Sequence, residues 1–294
     1  MIVISAVLTA QLIGEKVRAV KSKILLIGID GLILKTAVES ERAPTLKSLK
    51  SSGYFSEMLM DSPTYSGPGW STLLTGSTHQ EHGVNDNRFL GHNLLRRPDI
   101  LSRAFYQDQS TTTFAAAGWP PIVDPSGPGP IIHQRKEQQL AFQHRVIVRD
   151  GETHGYRAID AEIADIGVYA ISKFAPDLSF IYLCGADEAG HTYGVMGEKY
   201  LEAISRIDEH LTRLVDSVQE RVRLYDENWL IVLTTDHGHI DEGGHGADSA
   251  QERASFLIAV GEGRSNPEWP KEVAPHQLVE LLLAERRIEN ARTL

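Results

Sequence analysis

Trp229-Leu-Ile-Val-Leu-Thr-Thr235-Asp236-His237-Gly-His239-Ile-Asp-Glu-Gly-Gly-His245-Gly246 changes character in its middle. Up to Thr235 it is aliphatic and β-branched, as a strand buried on both faces would be, and it then stops at a carboxylate, imidazoles and glycines. In an open α/β sheet, ligands bind at the carboxyl ends of the strands. Two other runs end in the same way. Ile24 to Ile29 leads into Asp30-Gly31, and Leu178 to Leu183 leads toward Asp187-Glu-Ala-Gly-His191. Three strand ends are thereby expected to offer ligands to one crevice.

Outward from these strands the chain alternates. Helices are expected at about Ala43 to Ser52, Trp70 to Leu74, Pro98 to Gln107, Asp160 to Lys173, Glu198 to Glu220 and Pro275 to Arg286. Further strands are expected at Tyr54 to Met60, Thr111 to Ala116 and Ser255 to Val260. Ile159, Ile163, Ile166 and Ala170 recur at helical spacing and read as core packing. The pattern is that of a largely parallel sheet covered on both faces. Residues 120–155 break it, being rich in proline and glycine early and polar later, and read as an insertion over the crevice. That segment is either a surface loop with solvated histidines or a cap that shapes a substrate pocket. The remainder, 23–294, reads as one catalytic domain, and 1–22 as an apolar leader without a basic start or a clear cleavage site. This favours a cytoplasmic protein, with export as the alternative if the leader is a truncated signal.

Composition narrows the function classes. With 294 residues and 41% hydrophobic side chains, a packed core is within reach. The net charge of −10 argues against a general nucleic-acid groove. No stretch reaches the roughly 20 apolar residues of a membrane span. Cys184 is the single cysteine, so no intrachain disulfide can form, and its apolar neighbours suggest a buried thiol.

Asp187 and His191 lie four apart and share a face if their segment is helical. With Asp30, Asp236, His237 and His245 they make six mixed carboxylate and imidazole donors, a set that suits zinc, with manganese or iron compatible, and is large enough for two ions. Two such ions form a clamp for displacement at phosphorus. Ser66, in Pro63-Thr-Tyr-Ser66-Gly67-Pro-Gly-Trp70, falls at or just before a helix start, where it is either an N-cap or an activated nucleophile.

Taken together these segments resemble the alkaline phosphatase superfamily, most closely its type I phosphodiesterase/nucleotide pyrophosphatase branch. The matching pieces are Ile-Gly-Ile-Asp30-Gly, Pro-Thr-Tyr-Ser66-Gly-Pro-Gly-Trp-Ser-Thr-Leu-Leu-Thr-Gly, His82-Gly-Val-Asn-Asp-Asn87, Asp187-Glu-Ala-Gly-His191, Thr-Asp236-His237-Gly and Gly-Gly-His245-Gly. The resemblance implies a three-layer, doubly wound α/β fold and a phosphoester hydrolase that works through a phosphoserine at Ser66. It implies one Zn2+ on Asp187, His191 and His245, and another on Asp30, Asp236, His237 and the Ser66 oxygen. Asn87 and the Gly67 N–H would hold a phosphoryl oxygen of a small-molecule phosphoester. Gly67 departs from the branch, whose nucleotide-cleaving members often carry an aromatic there. Tyr182 matches a second aromatic of that pocket and either stacks on substrate or belongs to the core. His82 and His239 read as hydrogen-bonded support. The competing functions are a phosphomonoesterase, a sulfatase or phosphonate hydrolase, for which Trp70 stands where an arginine is needed, a phosphomutase, for which no large second domain is evident, and a catalytically silent metal-binding module.

Overall fold

The computed structural model describes residues 22–292; the leader apart from Ser22 lies outside them. Seven strands form one sheet in the order β2-β7-β6-β1-β5-β3-β4. They are β1 (Ser22–Ile29), β2 (Tyr54–Leu59), β3 (Thr113–Ala117), β4 (His144–Val148), β5 (Leu178–Leu183), β6 (Asn228–Thr234) and β7 (Ala254–Glu262). The ladders β1·β5, β1·β6, β3·β5 and β3·β4 are parallel, whereas β7 runs antiparallel to both β6 and β2. The sheet is thus mostly parallel, with helices on both faces, as its strand sequences require.

β1 shows why. Ile24 and Leu26 enter a core shared with Trp70, Leu73, Ile100, Leu101 and Leu282 on one face of the sheet. Leu25, Ile27 and Ile29 enter a second core with Leu46, Ile163, Leu211 and Leu214 on the other. A strand apolar at every position has two faces to bury, and the period of two deals its side chains alternately to each. The helix Glu198–Tyr225 covers the second face through Ala203, Ile204, Ile207, Leu211, Leu214 and Val218, which recur at helical spacing. No helix among the described residues is long and apolar enough to cross a membrane.

Residues 120–155 contain β4, the edge strand beside β3, together with the short helix Gly151–His154 that reaches the crevice. The sequence reading placed no strand there. The helix that carries Ser66 spans Ser66–Thr75, starting a turn earlier than the apolar pattern indicates, because Gly67, Pro68 and Gly69 form its first turn.

At the opposite end of the sheet from the crevice, Lys23 and Asp177 form an ion pair at 3.3 Å with both side chains largely buried. Asp177 also accepts from the Thr112 N–H at 2.8 Å and the Thr112 hydroxyl at 2.9 Å, tying the starts of β1, β3 and β5 together. Burial opposes the Asp177 charge, but Lys23 and the Thr112 donors outweigh it and hold the carboxyl below its ordinary value. A carboxyl depressed in the folded state contributes stability that is present above its unfolded pKa and lost as pH falls through the folded one. Asp177→Ala leaves Lys23 buried and unpaired, and should cost about 3 kcal/mol in denaturant unfolding near neutral pH. The loss should shrink as pH drops below the ordinary carboxylate range; a pH-independent loss would count against the ion pair.

Candidate metal centre

β5, β1 and β6 are neighbours, and their register brings Leu183 beside Ile29 and Thr234 beside Gly28. The polar residues that follow each strand therefore emerge side by side. Asp30 follows β1, Asp236 and His237 follow β6, and the helix Gly185–Tyr193 that follows β5 carries Asp187 and His191 one turn apart. Asp160 holds the start of that helix, accepting from the backbone N–H groups of Cys184 at 3.1 Å and Gly185 at 2.7 Å. Burial pushes the Asp160 carboxyl up to about 7, against the pull of those N–H groups.

The predicted donors form two groups. In one, His191 Nε2 lies 3.4 Å from Asp187 Oδ1, His245 Nε2 3.5 Å from the same oxygen, and the two nitrogens 2.9 Å apart. In the other, His237 Nε2 lies 3.2 Å from Asp30 Oδ1, 3.3 Å from Asp236 Oδ2 and 3.3 Å from Ser66 Oγ. A tetrahedral zinc ion with ligands at about 2.0 Å separates them by about 3.3 Å, so these spacings fit one cation in each group.

The tautomers make the stronger case. His237 Nδ1 faces the Gly238 carbonyl at 3.0 Å, His239 Nδ1 that of Gly243 at 2.8 Å, and His245 Nδ1 that of Thr64 at 2.8 Å. A carbonyl only accepts, so each Nδ1 bears the hydrogen and each neutral ring turns its Nε2 lone pair toward the carboxylates. Acceptors then confront acceptors. Asp30 Oδ1, Asp187 Oδ1, Asp236 Oδ2 and His239 Nε2 are buried without a hydrogen-bond partner. Only protons or cations reconcile such a set.

In the metal-free protein protons do so. Burial works against a charged His237, but Asp236 and Asp30 beside it hold its imidazole up at about 10. Burial and the charge of Asp30 push Asp236 far above the ordinary carboxylate value. Burial likewise opposes ionised Asp187, yet contact with His239 and the charges of His237, His191 and His245 hold it low. Burial and His237 push His245 down to about 4.

Tyr182 was left open between stacking on substrate and core packing, and in the structure it is a buried ring that also lines the cavity. It is 1% exposed, packs edge-on against Trp70, and gives its hydroxyl to Asp30 Oδ2 at 2.5 Å. Trp70 Nε1–H donates to the same oxygen at 2.8 Å, so the pair turns Oδ1 toward His237. Gly67 also differs from expectation, since its N–H donates to Asn87 Oδ1 at 2.7 Å. That contact fixes the Asn87 amide with its NH2 as the free end. His82 is support: its Nδ1 accepts from the Val84 N–H, which leaves Nε2–H to donate to Thr72 Oγ1.

Ser66, Asn87, Tyr182, Asp187, His191 and His245 line a cavity of about 250 Å3 together with Trp119, Glu152, Tyr156 and Glu188. No lysine or arginine lines it among the described residues. Arg88 is exposed and ion-paired with Asp86. Nothing in the sequence singled out Asp160, Glu152 or Glu188, whose roles depend on tertiary neighbours. Trp70 was noticed only as a missing arginine.

The fold is that of the alkaline phosphatase superfamily. Within it the chain belongs to the type I phosphodiesterase / nucleotide pyrophosphatase family, whose sequence profile matches residues 24–253. It is 28% identical over 274 residues to GPI ethanolamine phosphate transferase 1 of Yarrowia lipolytica, covering 84% of this chain and 27% of that protein. It is 24% identical over 217 residues to bovine ectonucleotide pyrophosphatase/phosphodiesterase family member 3, covering 68% of this chain and 22% of that protein. The chain thus spans about a quarter of the length of these two relatives. Among solved structures, phosphonoacetate hydrolase from Sinorhizobium meliloti superposes with a TM-score of 0.65 at 12% identity, covering 91% of this chain and 96% of that one. Murine ectonucleotide pyrophosphatase / phosphodiesterase 5 gives 0.64 at 16% identity, with 90% and 95% covered. At those identities the likeness speaks to the fold.

A pH test follows from the protons. A cation that takes the Asp30, Asp236 and His237 donors must displace hydrogen from His237, held at about 10, and compete with it at Asp236. Binding there should release at least about one proton per ion near pH 7 and weaken as pH falls. Calorimetric titration of metal-stripped protein in buffers of different ionisation enthalpy reads this directly; zero proton release would refute the assignment.

Proposed function

We propose that the chain cleaves phosphodiesters or pyrophosphates in this cleft, with Ser66 as nucleophile and two divalent ions, Zn2+ foremost, on the two donor groups. The observation that carries the reading is the convergence of acceptor-only donors on Ser66 Oγ at the first residue of its helix. In the first step Ser66 Oγ, its proton released to solvent, attacks phosphorus, the bond to the leaving oxygen breaks, and that oxygen departs to take a proton from solvent. In the second, water attacks the phosphoseryl phosphorus and gives up a proton to solvent, while Ser66 Oγ leaves and regains a proton as the free hydroxyl. The cations, when bound, supply positive charge that favours the ionised serine and offsets charge on the leaving oxygen. Asn87 donates to a non-bridging oxygen, and the N-terminus of the Ser66 helix adds partial positive charge.

A second reading is transfer to an alcohol instead of water, favoured by the 28% identity over most of this chain to a protein named as a phosphate transferase. Both readings share the Ser66 intermediate and differ only in the acceptor. Ser66→Ala should lower kcat about a thousandfold or more while thermal melting stays near that of the parent. Rapid quench with labelled substrate should trap a phosphoseryl adduct, and adding an alcohol acceptor should divide product between water and alcohol if transfer is native. Near-parental turnover in Ser66→Ala would remove the covalent step.

The cleft also favours one negative charge over two. Glu152 and Glu188 line it, and the nearest basic candidate by sequence, Arg88, is exposed and paired with Asp86. Bis-p-nitrophenyl phosphate should therefore exceed p-nitrophenyl phosphate in kcat/KM by about tenfold, on the order of 1.4 kcal/mol, and Arg88→Ala should leave that ratio unchanged. A monoester preference that collapses in Arg88→Ala would make the protein a phosphomonoesterase.

A further inference from the structure

Two carboxylates on the cavity wall have no part in the cation groups or in the Ser66 chemistry. Glu152 stands on the short helix Gly151–His154, and Glu188 follows Asp187 in the first turn of Gly185–Tyr193. Tyr156 ties them together: its N–H donates to Glu188 Oε1 at 3.1 Å and its hydroxyl to Glu152 Oε1 at 3.3 Å. The turn that carries Glu152 is built against the same ring. A Cβ at Gly151 would fall 2.3 Å from the Tyr156 ring, and the Gly151 N–H donates to the Gly118 carbonyl at 2.7 Å, so glycine lets the turn close and fixes Glu152 beside the cavity. Each carboxylate commits one oxygen to Tyr156 and keeps its Oε2. Among the described residues no lysine or arginine lines the cavity, and neither glutamate is in an ion pair. Trp119 and Tyr156, both largely buried, give the same cavity an aromatic wall.

We propose that the cavity takes a phosphodiester one of whose alcohols carries an ammonium group, an amino alcohol, and that Glu152 and Glu188 receive this group beside Trp119 and Tyr156. The inference rests on the diester reading above and names the substrate class within it. Divalent ions on the two donor groups more than balance Asp30, Asp187 and Asp236, and a diester brings its single negative charge next to them. Glu152 and Glu188 lie outside that balance. A substrate that closes over them removes water from two charged groups, a cost that an apolar substituent leaves uncompensated and an anionic one increases. An ammonium group offsets it with hydrogens for the remaining carboxylate oxygens and with charge of opposite sign, and aromatic rings attract a cation as well. Glu152 is exposed and Glu188 half-buried, so solvent screens both and the consequence is selectivity between substrates.

The test uses the whole chain, loaded with zinc, and two esters of the same size, aminoethyl and propyl p-nitrophenyl phosphate. In the parent kcat/KM should favour the aminoethyl ester by about tenfold. Glu152→Gln and Glu188→Gln keep an acceptor for Tyr156 and remove only the charge; each should cut that preference severalfold, and together they should bring it close to one. Glu152→Lys should turn it below one. The readout is the ratio of the two esters within each variant, which a general loss of activity or stability leaves in place. Equal kcat/KM for the two esters in the parent overturns the inference and leaves diester cleavage standing. A preference for the aminoethyl ester that survives in the double variant also overturns it, because the ammonium group is then read elsewhere. A zinc-loaded parent that cleaves neither of these esters nor bis-p-nitrophenyl phosphate overturns the diester reading and this inference together.

Discussion

Everything at the head of the sheet depends on acceptors facing acceptors. Three imidazoles are held by backbone carbonyls at Nδ1 and aimed at carboxylates, with Asp30 and Asp236 fully buried and Asp187 partly so. A buried carboxylate beside another is costly unless opposite charge is present, because the low local dielectric strengthens repulsion and withholds solvation. Among the described residues no lysine or arginine lines the cavity to relieve this, and oxygen and nitrogen lone pairs are left unsatisfied. Protonated His237 is the partial remedy of the metal-free chain, and a divalent ion is the fuller one. The backbone thereby decides the chemistry, since the carbonyls of Thr64, Gly238 and Gly243 choose which ring nitrogen faces the cleft.

That arrangement requires three strand ends at adjacent places in the sheet. β1 sits between β5 and β6 only because apolar residues at every position let it bury both faces, and each face recruits its own helices. The donors then need fixing to within fractions of an ångström. Asp160 anchors the helix bearing Asp187 and His191 by its first N–H groups, and Trp70 with Tyr182 anchors one oxygen of Asp30 so that the other is free. These buttresses come from the two opposite cores, so packing on both faces of the sheet bears on the same few oxygen atoms.

The three central strands and the donors behind them were legible because unbroken aliphatic runs ending in Asp, His and Gly are local signals. The direction of β7 was not, since composition does not encode whether a buried strand runs parallel or antiparallel to its neighbour. β4 was missed because His144-Arg-Val-Ile-Val148 is short, half polar and embedded in a segment dominated by turn residues, and it becomes a strand only by pairing with β3. Asp160 was invisible for a related reason: it sits beside Ile159 in a helical stripe whose spacing speaks of core, and only the N-terminus of another helix gives it a task. His239 was read as hydrogen-bonded support, and in the structure its Nδ1 meets the Gly243 carbonyl while its Nε2 lies beside Asp187. Tyr182 was left open between stacking and core, and both remain visible in its place: it is buried on its strand and lines the cavity.

Gly67 shows how a departure from the family reshapes its surroundings. A Cβ there would meet the Asp86 carbonyl at 2.8 Å, Asn87 Oδ1 at 3.0 Å and the Phe89 ring at 3.2 Å, so the loop of residues 86–89 occupies the space that a larger side chain would need. The same close approach allows the Gly67 N–H to grip the Asn87 carbonyl oxygen and present the amide NH2 to the cleft. A neutral amide is a good partner for an oxygen sharing one negative charge and a poor one for a dianion, which calls for a full positive charge nearby. Glu152 and Glu188 on the cavity wall would repel that second charge further, while leaving an uncharged or cationic substituent undisturbed. Glycine at residue 67 therefore permits the contact that orients the Asn87 amide, where a larger side chain would run into the loop of residues 86–89.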